Sequence, residues 1–547
     1  MELLKENSRV ALAAEFQIGS KNENIGKQLQ TTVNNPEALQ KFYKQSIQKG
    51  GNALLTNTKF ALPNLLQQVG LEEKFTQINE KAAQIARQVA EDNAFVIGNI
   101  GSAALEIKPF GDFDFEDAVQ LYNQQIKLLI KTGIDGILLN GFSEIQNLRA
   151  AAIAVRQSNT DLPLMVKADF HDKKMKTGPD PETLSTILNS LDVDAIGANQ
   201  AGILRKLEKF TNQPLVAGID EQVSGKDIKR IERRRLGLLV YSGNRSENLA
   251  AVAQLSQKKI SIGEIELPFA ITSYNQTRQA GPGLPFFKIG ERINPTGRDD
   301  LAKELKAGKL DQIILDAEKQ IKAGAEALDV NLGAAMVDET ALMEKAIPKI
   351  QAKFDIPLVI DSSQPEAIEA GLKNYAGKAL VNSVDGDEKK QERILPLVKK
   401  YGAAVIGLTI KGGKPGSVEE RTQIARQIVD KCQTYGIPRQ DIIIDTVAMS
   451  AATSSKIAMQ SFETVRAVKK ELGLPTMMGI SNSSFGLPNR NWVHNTFLIQ
   501  AMAFGLDGGI INVEDSDLDR LIHVASIFSD RDPHCMNYIK YTRSLEK

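Results

Sequence analysis

Short apolar runs recur along this chain at a spacing that leaves room for one helix between each run and the next. This alternation limits the possible folds more than any other feature of the sequence. In the first half the runs fall at residues 10–15, 53–57, 95–100, 136–139, 163–169, 195–198, 214–218 and 236–241. In the second they fall at 287–290, 327–330, 358–360, 379–381, 403–408, 442–444, 477–480 and 508–513. Runs this short, rich in β-branched residues and bounded by turn formers, read as strands. Intervening segments such as 75–89, 115–130, 339–354 and 418–435 repeat their apolar positions with helical period. Alternating strand and helix predicts a parallel sheet covered by helices, and eight such units per half predict an α/β fold of two tandem (β/α)8 barrels. A chain of 547 residues is too long for one ordinary core and suits two. The expected domains are 1–262 and 286–547. Residues 263–285, with Glu266-Leu267-Pro268 and Gly281-Pro282-Gly283 and no apolar period, read as a linker.

Charge and cysteine content exclude several classes of function. Lys and Arg number 67, as do Asp and Glu, so the formal net charge is zero and there is no electrostatic case for nucleic acid or an anionic membrane as partner. The basic run Lys226, Lys229, Arg230 and Arg233-Arg234-Arg235 is expected to form a solvated helix face. Cys432 and Cys535, the two cysteines, lie far apart and in no metal-ligand spacing, which fits a reducing cytoplasm better than a disulfide framework. No basic-then-apolar leader opens the sequence, and no apolar run nears the roughly 20 residues needed to span a bilayer. The expected location is cytoplasmic, and homo-oligomerisation stays open.

In a (β/α)8 barrel the site lies at the C-terminal ends of the strands. In the second half those ends carry Asp329 and Asn331, Asp361, Asn382, Asp445, and Gly479 followed by Ser481-Asn482, with Glu291 and Asn294 on the opening strand. Any one of them alone reads as an ordinary cap or turn residue, because Asp, Asn and Ser are the preferred caps. Spread over several strands of one barrel, they converge on a single mouth. The set offers carboxylates and carboxamides but no cysteine, no clustered histidine and no phosphate-cradling glycine loop. A carboxylate accepts two hydrogen bonds from a 2-amino-N3–H edge, and an amide donates and accepts at once, as a ring carbonyl beside an N–H requires. A pterin presents that edge. His171, His494, His523 and His534 stand isolated and read as surface or packing residues.

Five stretches of the second half keep a recognisable order: Ile289-Gly290-Glu291-Arg292-Ile293-Asn294, Leu328-Asp329-Val330-Asn331-Leu332-Gly333, Asp361-Ser362, Asn382-Ser383 and Gly479-Ile480-Ser481-Asn482. Together they resemble the methyltetrahydrofolate-binding domain shared by cobalamin-dependent methionine synthase and the acetogen methyltetrahydrofolate:corrinoid methyltransferases. The resemblance implies a methyltransferase with 5-methyltetrahydrofolate as methyl donor. It implies pterin contacts from Asp361, Asn382 and Asp445, and Asn482 near the methyl-bearing N5. Asn482 and Asp361 are then the catalytic candidates; Glu291, Asn294, Asp329, Asn331, Gly479 and Ser481 complete the substrate-binding set. It also implies a cob(I)alamin acceptor. The Asp-x-His run Asp169-Phe170-His171-Asp172-Lys173-Lys174 lacks the family's following glycine, so the corrinoid is expected on a separate protein.

In the first half, the stretches 51–58, 97–102 and 177–183 resemble the homocysteine-binding barrel of the same synthase. That family activates its thiol on zinc held by one cysteine after strand six and an adjacent pair after strand eight. Here Gln200 stands at the first position and Tyr241-Ser242 at the second. Gln, Tyr and Ser cannot make that soft thiolate site, so no zinc is expected. The opening turn, Glu15-Phe16-Gln17-Ile18-Gly19, departs from the family pattern, and Asn140 replaces its usual Glu. These departures leave the first barrel as a docking platform or a metal-free acceptor site. Three alternatives stand beside the main reading: a non-catalytic folate-binding subunit, direct homocysteine methylation, and a dihydropteroate-synthase-like enzyme. Ile293-Asn294-Pro295-Thr296 resembles the first strand of the last of these, but Ser481-Asn482-Ser483-Ser484 replaces its expected Ser-Arg-Lys segment.

Overall fold

The computed structural model describes residues 3–17, 25–159, 161–220, 223–242 and 252–546. The chain divides into two compact units, Met1–Glu266 and Leu267–Lys547. In the first unit β1 (Ala11–Ala14), β2 (Ala53–Leu55), β3 (Phe95–Ile100), β4 (Gly136–Phe142), β5 (Leu164–Ala168), β6 (Ala195–Ala198), β7 (Leu215–Asp220) and β8 (Leu236–Ser242) pair in chain order. All are parallel, and β8 returns to β1 to close the barrel. Side chains alternate along a strand, and here every second one points inward. Leu3, Ala11, Ala13, Ala53, Leu55, Phe95, Ile97, Leu138, Met165, Ala195, Val216, Leu238 and Val240 form one buried cluster, with Leu4 packed against it.

The second unit repeats the plan. β11 (Phe287–Ile293), β12 (Ala327–Asn331), β13 (Leu358–Asp361), β14 (Leu380–Val384), β15 (Ala404–Leu408), β16 (Ile442–Asp445), β17 (Thr476–Gly479) and β18 (Gly508–Ile511) form a second closed barrel. Its inward layer includes Phe287, Ile289, Ala327, Val359, Leu380, Ala404, Ile406, Ile443 and Met477.

The expected linker contains structure that the sequence pattern does not announce. β9 (Phe269–Thr272) and β10 (Thr277–Ala280) form an antiparallel hairpin, whose Phe269, Ile271 and Ala280 join the buried cluster of the second barrel. The hairpin covers the N-terminal ends of the strands. Tyr375 donates its hydroxyl to the Thr272 carbonyl at 2.6 Å, Lys378 N–H donates to Thr272 Oγ1 at 2.9 Å, and Asp355 accepts from Asn275 and Gln276. Beside it Lys378 and Asp441 form an ion pair, both side chains nearly inaccessible.

The basic run also differs from expectation. Lys226, Lys229 and Arg230 lie on the helix Gly225–Glu232, but Arg234 and Arg235 are half-buried beyond its end. Arg234 pairs with Glu208 at 2.7 Å, and Arg235 donates to the carbonyls of Glu208, Thr211 and Asn212. They fasten the loop between β6 and β7, because planar guanidinium donors match converging carbonyls better than a solvated face would use them.

Candidate active site

The same two-residue step that fills the second barrel with apolar side chains continues upward into a polar layer. Residues 287, 289 and 291 on β11 share a direction, as do 327, 329 and 331 on β12 and 359 and 361 on β13. Residues 380 and 382 on β14, 443 and 445 on β16, and 477 and 479 on β17 do the same. Glu291, Asp329, Asn331, Asp361, Asn382, Asp445 and Gly479 therefore stand one level above the core, on one mouth.

Hydrogen bonds tie this layer together across strands. Asn331 donates to Asp361 at 3.0 Å and Asn382 to Asp329 at 3.2 Å. Ser481 Oγ lies 2.8 Å from both Glu291 oxygens. Asp445 accepts from the Val447 N–H at 2.7 Å. Behind it the fully buried Arg421 donates to the Thr446 carbonyl and to Ser461, which fixes the loop that follows β16. None of Asp329, Asp361, Asn382 and Asp445 caps the helix after its strand. Asp338, Asp387, Ser417 and Asp515 perform the side-chain capping in this unit, so the mouth residues are not spent on it.

Asn482 sits apart from this network. It lies in the short helix Ile480–Ser484 after β17 and is exposed. A Cβ on Gly479 would come within 3.1 Å of its Nδ2. The bare glycine therefore lets the carboxamide lie across the inward-facing end of β17. Among the described residues that carboxamide has no hydrogen-bond partner.

Burial controls protonation here. It pushes Asp445 up to about 7, and its bond from Val447 offsets only part of the shift. Burial raises Asp329 and Asp361 together, and the charge of Asp361 beside Asp329 adds to the rise there. Burial also raises Glu291, against the bond from Ser481. Carboxyl groups raised by burial toward neutrality, Asp445 among them, can donate as well as accept when protonated.

Asn294 is not brought into this network; its carbonyl oxygen accepts from the Thr296 N–H in a local turn. Two further residues join the mouth that strand-end reading missed. Glu339 is 5% exposed, has one oxygen without a partner among the described residues, and adds its charge beside Asp361. It belongs to a helix, so no strand pattern points to it. Asn512, one residue past β18, continues the inward step of that strand; the spacing could have found it.

Residues 6–236 match the family model for homocysteine S-methyltransferase and residues 290–512 that for pterin binding enzyme. Homocysteine methyltransferase MmuM from Escherichia coli, in its metallated form, is similar at 15% identity, covering 45% of this chain and 96% of that one with a TM-score of 0.40. Dihydropteroate synthase from Yersinia pestis is similar at 17% identity, covering 48% and 98%, TM-score 0.36. That from Xanthomonas albilineans with 4-aminobenzoic acid is similar at 14%, covering 48% and 98%, TM-score 0.36. The chain thus carries a barrel similar to homocysteine S-methyltransferases followed by a barrel similar to pterin binding enzymes. Together they support a methyl-transfer, folate-related enzyme built from two (β/α)8 domains.

Proposed function

We propose that the second barrel binds 5-methyltetrahydrofolate and passes its methyl group to the cob(I)alamin of a separate corrinoid protein. The observation that carries this reading is the layered mouth, in which bonded carboxyl and carboxamide groups ring an opening beside an uncommitted amide at Asn482. Asp361, Asn331 and Asn382 would take the 2-amino, N3–H and carbonyl edge of the pterin, with Asp445 closing the ring. A methyl group leaves a neutral tertiary amine poorly, so N5 must carry positive charge in the transition state. The Asn482 carbonyl oxygen, already placed and not held by another protein group, would stabilise that charge where it develops. Proton-holding carboxyl groups nearby let the pocket supply a proton through water. The corrinoid is a second substrate here: Asp169 of the Asp169-Phe170-His171 run is engaged with Lys167 at 3.2 Å in the first barrel.

The test is methyl transfer from 5-methyltetrahydrofolate to added cob(I)alamin, followed by the change in cobalt absorbance. Turnover that Asn482→Ala nearly abolishes supports the enzyme. Tight folate binding without turnover supports an accessory, folate-delivering subunit. A calorimetric titration with no heat from methyltetrahydrofolate would falsify the pterin reading itself.

A further inference from the structure

Of the first barrel's mouth, Ile18-Gly19 and Gly243-Asn244 lie outside the described residues, whereas every strand end of the second is described. There, the turn after β16 adopts a conformation that its sequence does not favour. Val447, two residues past Asp445, has φ +61°. A β-branched residue rarely enters the left-handed region, where even a bare Cβ crowds the backbone. An aspartate accepting from the N–H two residues on makes an ordinary turn, but that turn does not require this conformation of a valine. Its cause lies outside the local sequence.

The cause is a buried cation. Arg421, on the helix Val418–Thr434, is fully buried. Its Nη1 donates to the Thr446 carbonyl and to Ser461 Oγ, both at 3.2 Å. Ser461, on the helix Ser455–Leu472, donates in turn to the Val447 carbonyl at 2.7 Å. Nη1 also reaches the Val447 carbonyl, at 3.5 Å. The peptide groups on both sides of Val447 are thus held, which sets its φ and ψ. Its N–H then donates to Asp445 Oδ1 at 2.7 Å. On the other side of the carboxylate, the Thr409 N–H and hydroxyl both donate to the Asp445 backbone carbonyl at 3.0 Å. One carboxylate oxygen is taken and the main chain beneath it is fixed.

Stability alone does not explain Arg421. Its Nη2 has no hydrogen-bond partner and no carboxylate pairs with it among the described residues. A buried guanidinium short of partners is costly, and such costs persist where the geometry they enforce is used. Nor does its charge act on Asp445. Burial raises that carboxyl and the Val447 N–H lowers it, with no part for a cation. Arg421 works through the backbone.

We infer that Arg421 is a positioning residue for the pterin: it holds Val447 left-handed, so that the Val447 N–H occupies Asp445 Oδ1 and Oδ2 meets the ring. This rests on the pterin reading of the second barrel and adds to that site a residue from a helix behind it. Without the restraint, valine relaxes to its ordinary region, the N–H leaves Oδ1, and the carboxylate turns.

Calorimetric titration of the full chain with 5-methyltetrahydrofolate tests it. Arg421→Met should weaken binding by about tenfold, the scale of one strained residue released. Val447→Gly should bind within about threefold of the wild type, because glycine enters the left-handed region without strain. The variant carrying both should bind within about threefold of Val447→Gly, since the two changes act on one conformation. A merely structural loss at Arg421 would not be repaired at position 447. Ser461→Ala keeps the guanidinium and carries the same test if Arg421→Met does not fold. It should weaken binding by about fivefold, the scale of one hydrogen bond, with a native melting curve, and Val447→Gly should restore it. Undiminished binding in Arg421→Met or Ser461→Ala, or a loss that Val447→Gly leaves unrepaired, would overturn the inference while the wild type still binds folate. No heat from the wild type would take down the pterin reading and this inference with it.

Discussion

Asn482 is exposed at the rim while Asp445 is buried in the layer of strand ends, and this division decides what each substitution does. Asn482→Ala removes no packing, so the melting temperature and folate affinity should stay near those of the parent. Turnover with cob(I)alamin should fall by roughly a hundredfold, the scale for losing one preorganised charge-stabilising group. Asp445→Asn acts the other way on stability. A carboxyl raised to about 7 in the folded chain from 3.8 binds its proton more tightly folded than unfolded. This group's cost to stability is therefore absent at pH 3, grows as pH rises from about 4 to 7, and is fully present above. Melting curves should show Asp445→Asn gaining stability at pH 8 and little at pH 4, while folate binding weakens. These residues were legible in the sequence because each follows an apolar run with the correct parity. Glu339 was not, since a helical residue gains its place at the mouth only through packing. Asn294 looked equivalent to its neighbours by position, yet its oxygen serves a turn.

The elements themselves were legible where local pattern and tertiary role agree. All the barrel strands fall on the expected apolar runs. β10, by contrast, reads Thr-Arg-Gln-Ala and is only half-buried. Nothing local marks it as a strand; pairing with β9 and the barrel floor below it make it one. Phe269→Ala removes a 3% exposed ring from that floor and should cost about 3–5 kcal/mol in chemical denaturation. Lys378→Met, which leaves the buried Asp441 without its partner, should cost a similar amount. A wild-type denaturation midpoint in either variant would show that the hairpin is dispensable.

At the scale of the whole molecule, each unit has its own closed barrel and its own core. A ligand stabilises only the unit that binds it, by about 2.7 kcal/mol at a hundredfold excess over its dissociation constant. In scanning calorimetry, methyltetrahydrofolate should move one unfolding transition and leave the other in place; a joint shift would mean the units unfold together. The doubled architecture was readable from length and alternation alone. The chemical difference between the two mouths was only partly so. Gln200, Tyr241 and Ser242 announce a missing thiolate set, but the meeting of Glu15 with Lys59 and of Lys167 with Asp169 depends on which strand ends become neighbours.

The hairpin under the second barrel has a kinetic corollary. With the barrel axis filled by its own side chains and Phe269, Ile271 and Ala280 packed beneath them, arrivals and departures at the upper opening use one doorway. Under the proposed reaction the acceptor must stand in that doorway to collect the methyl group, directly in the path of spent tetrahydrofolate. Turnover then becomes a queue in which the acceptor leaves first, and a tightly held acceptor would trap the folate product behind it.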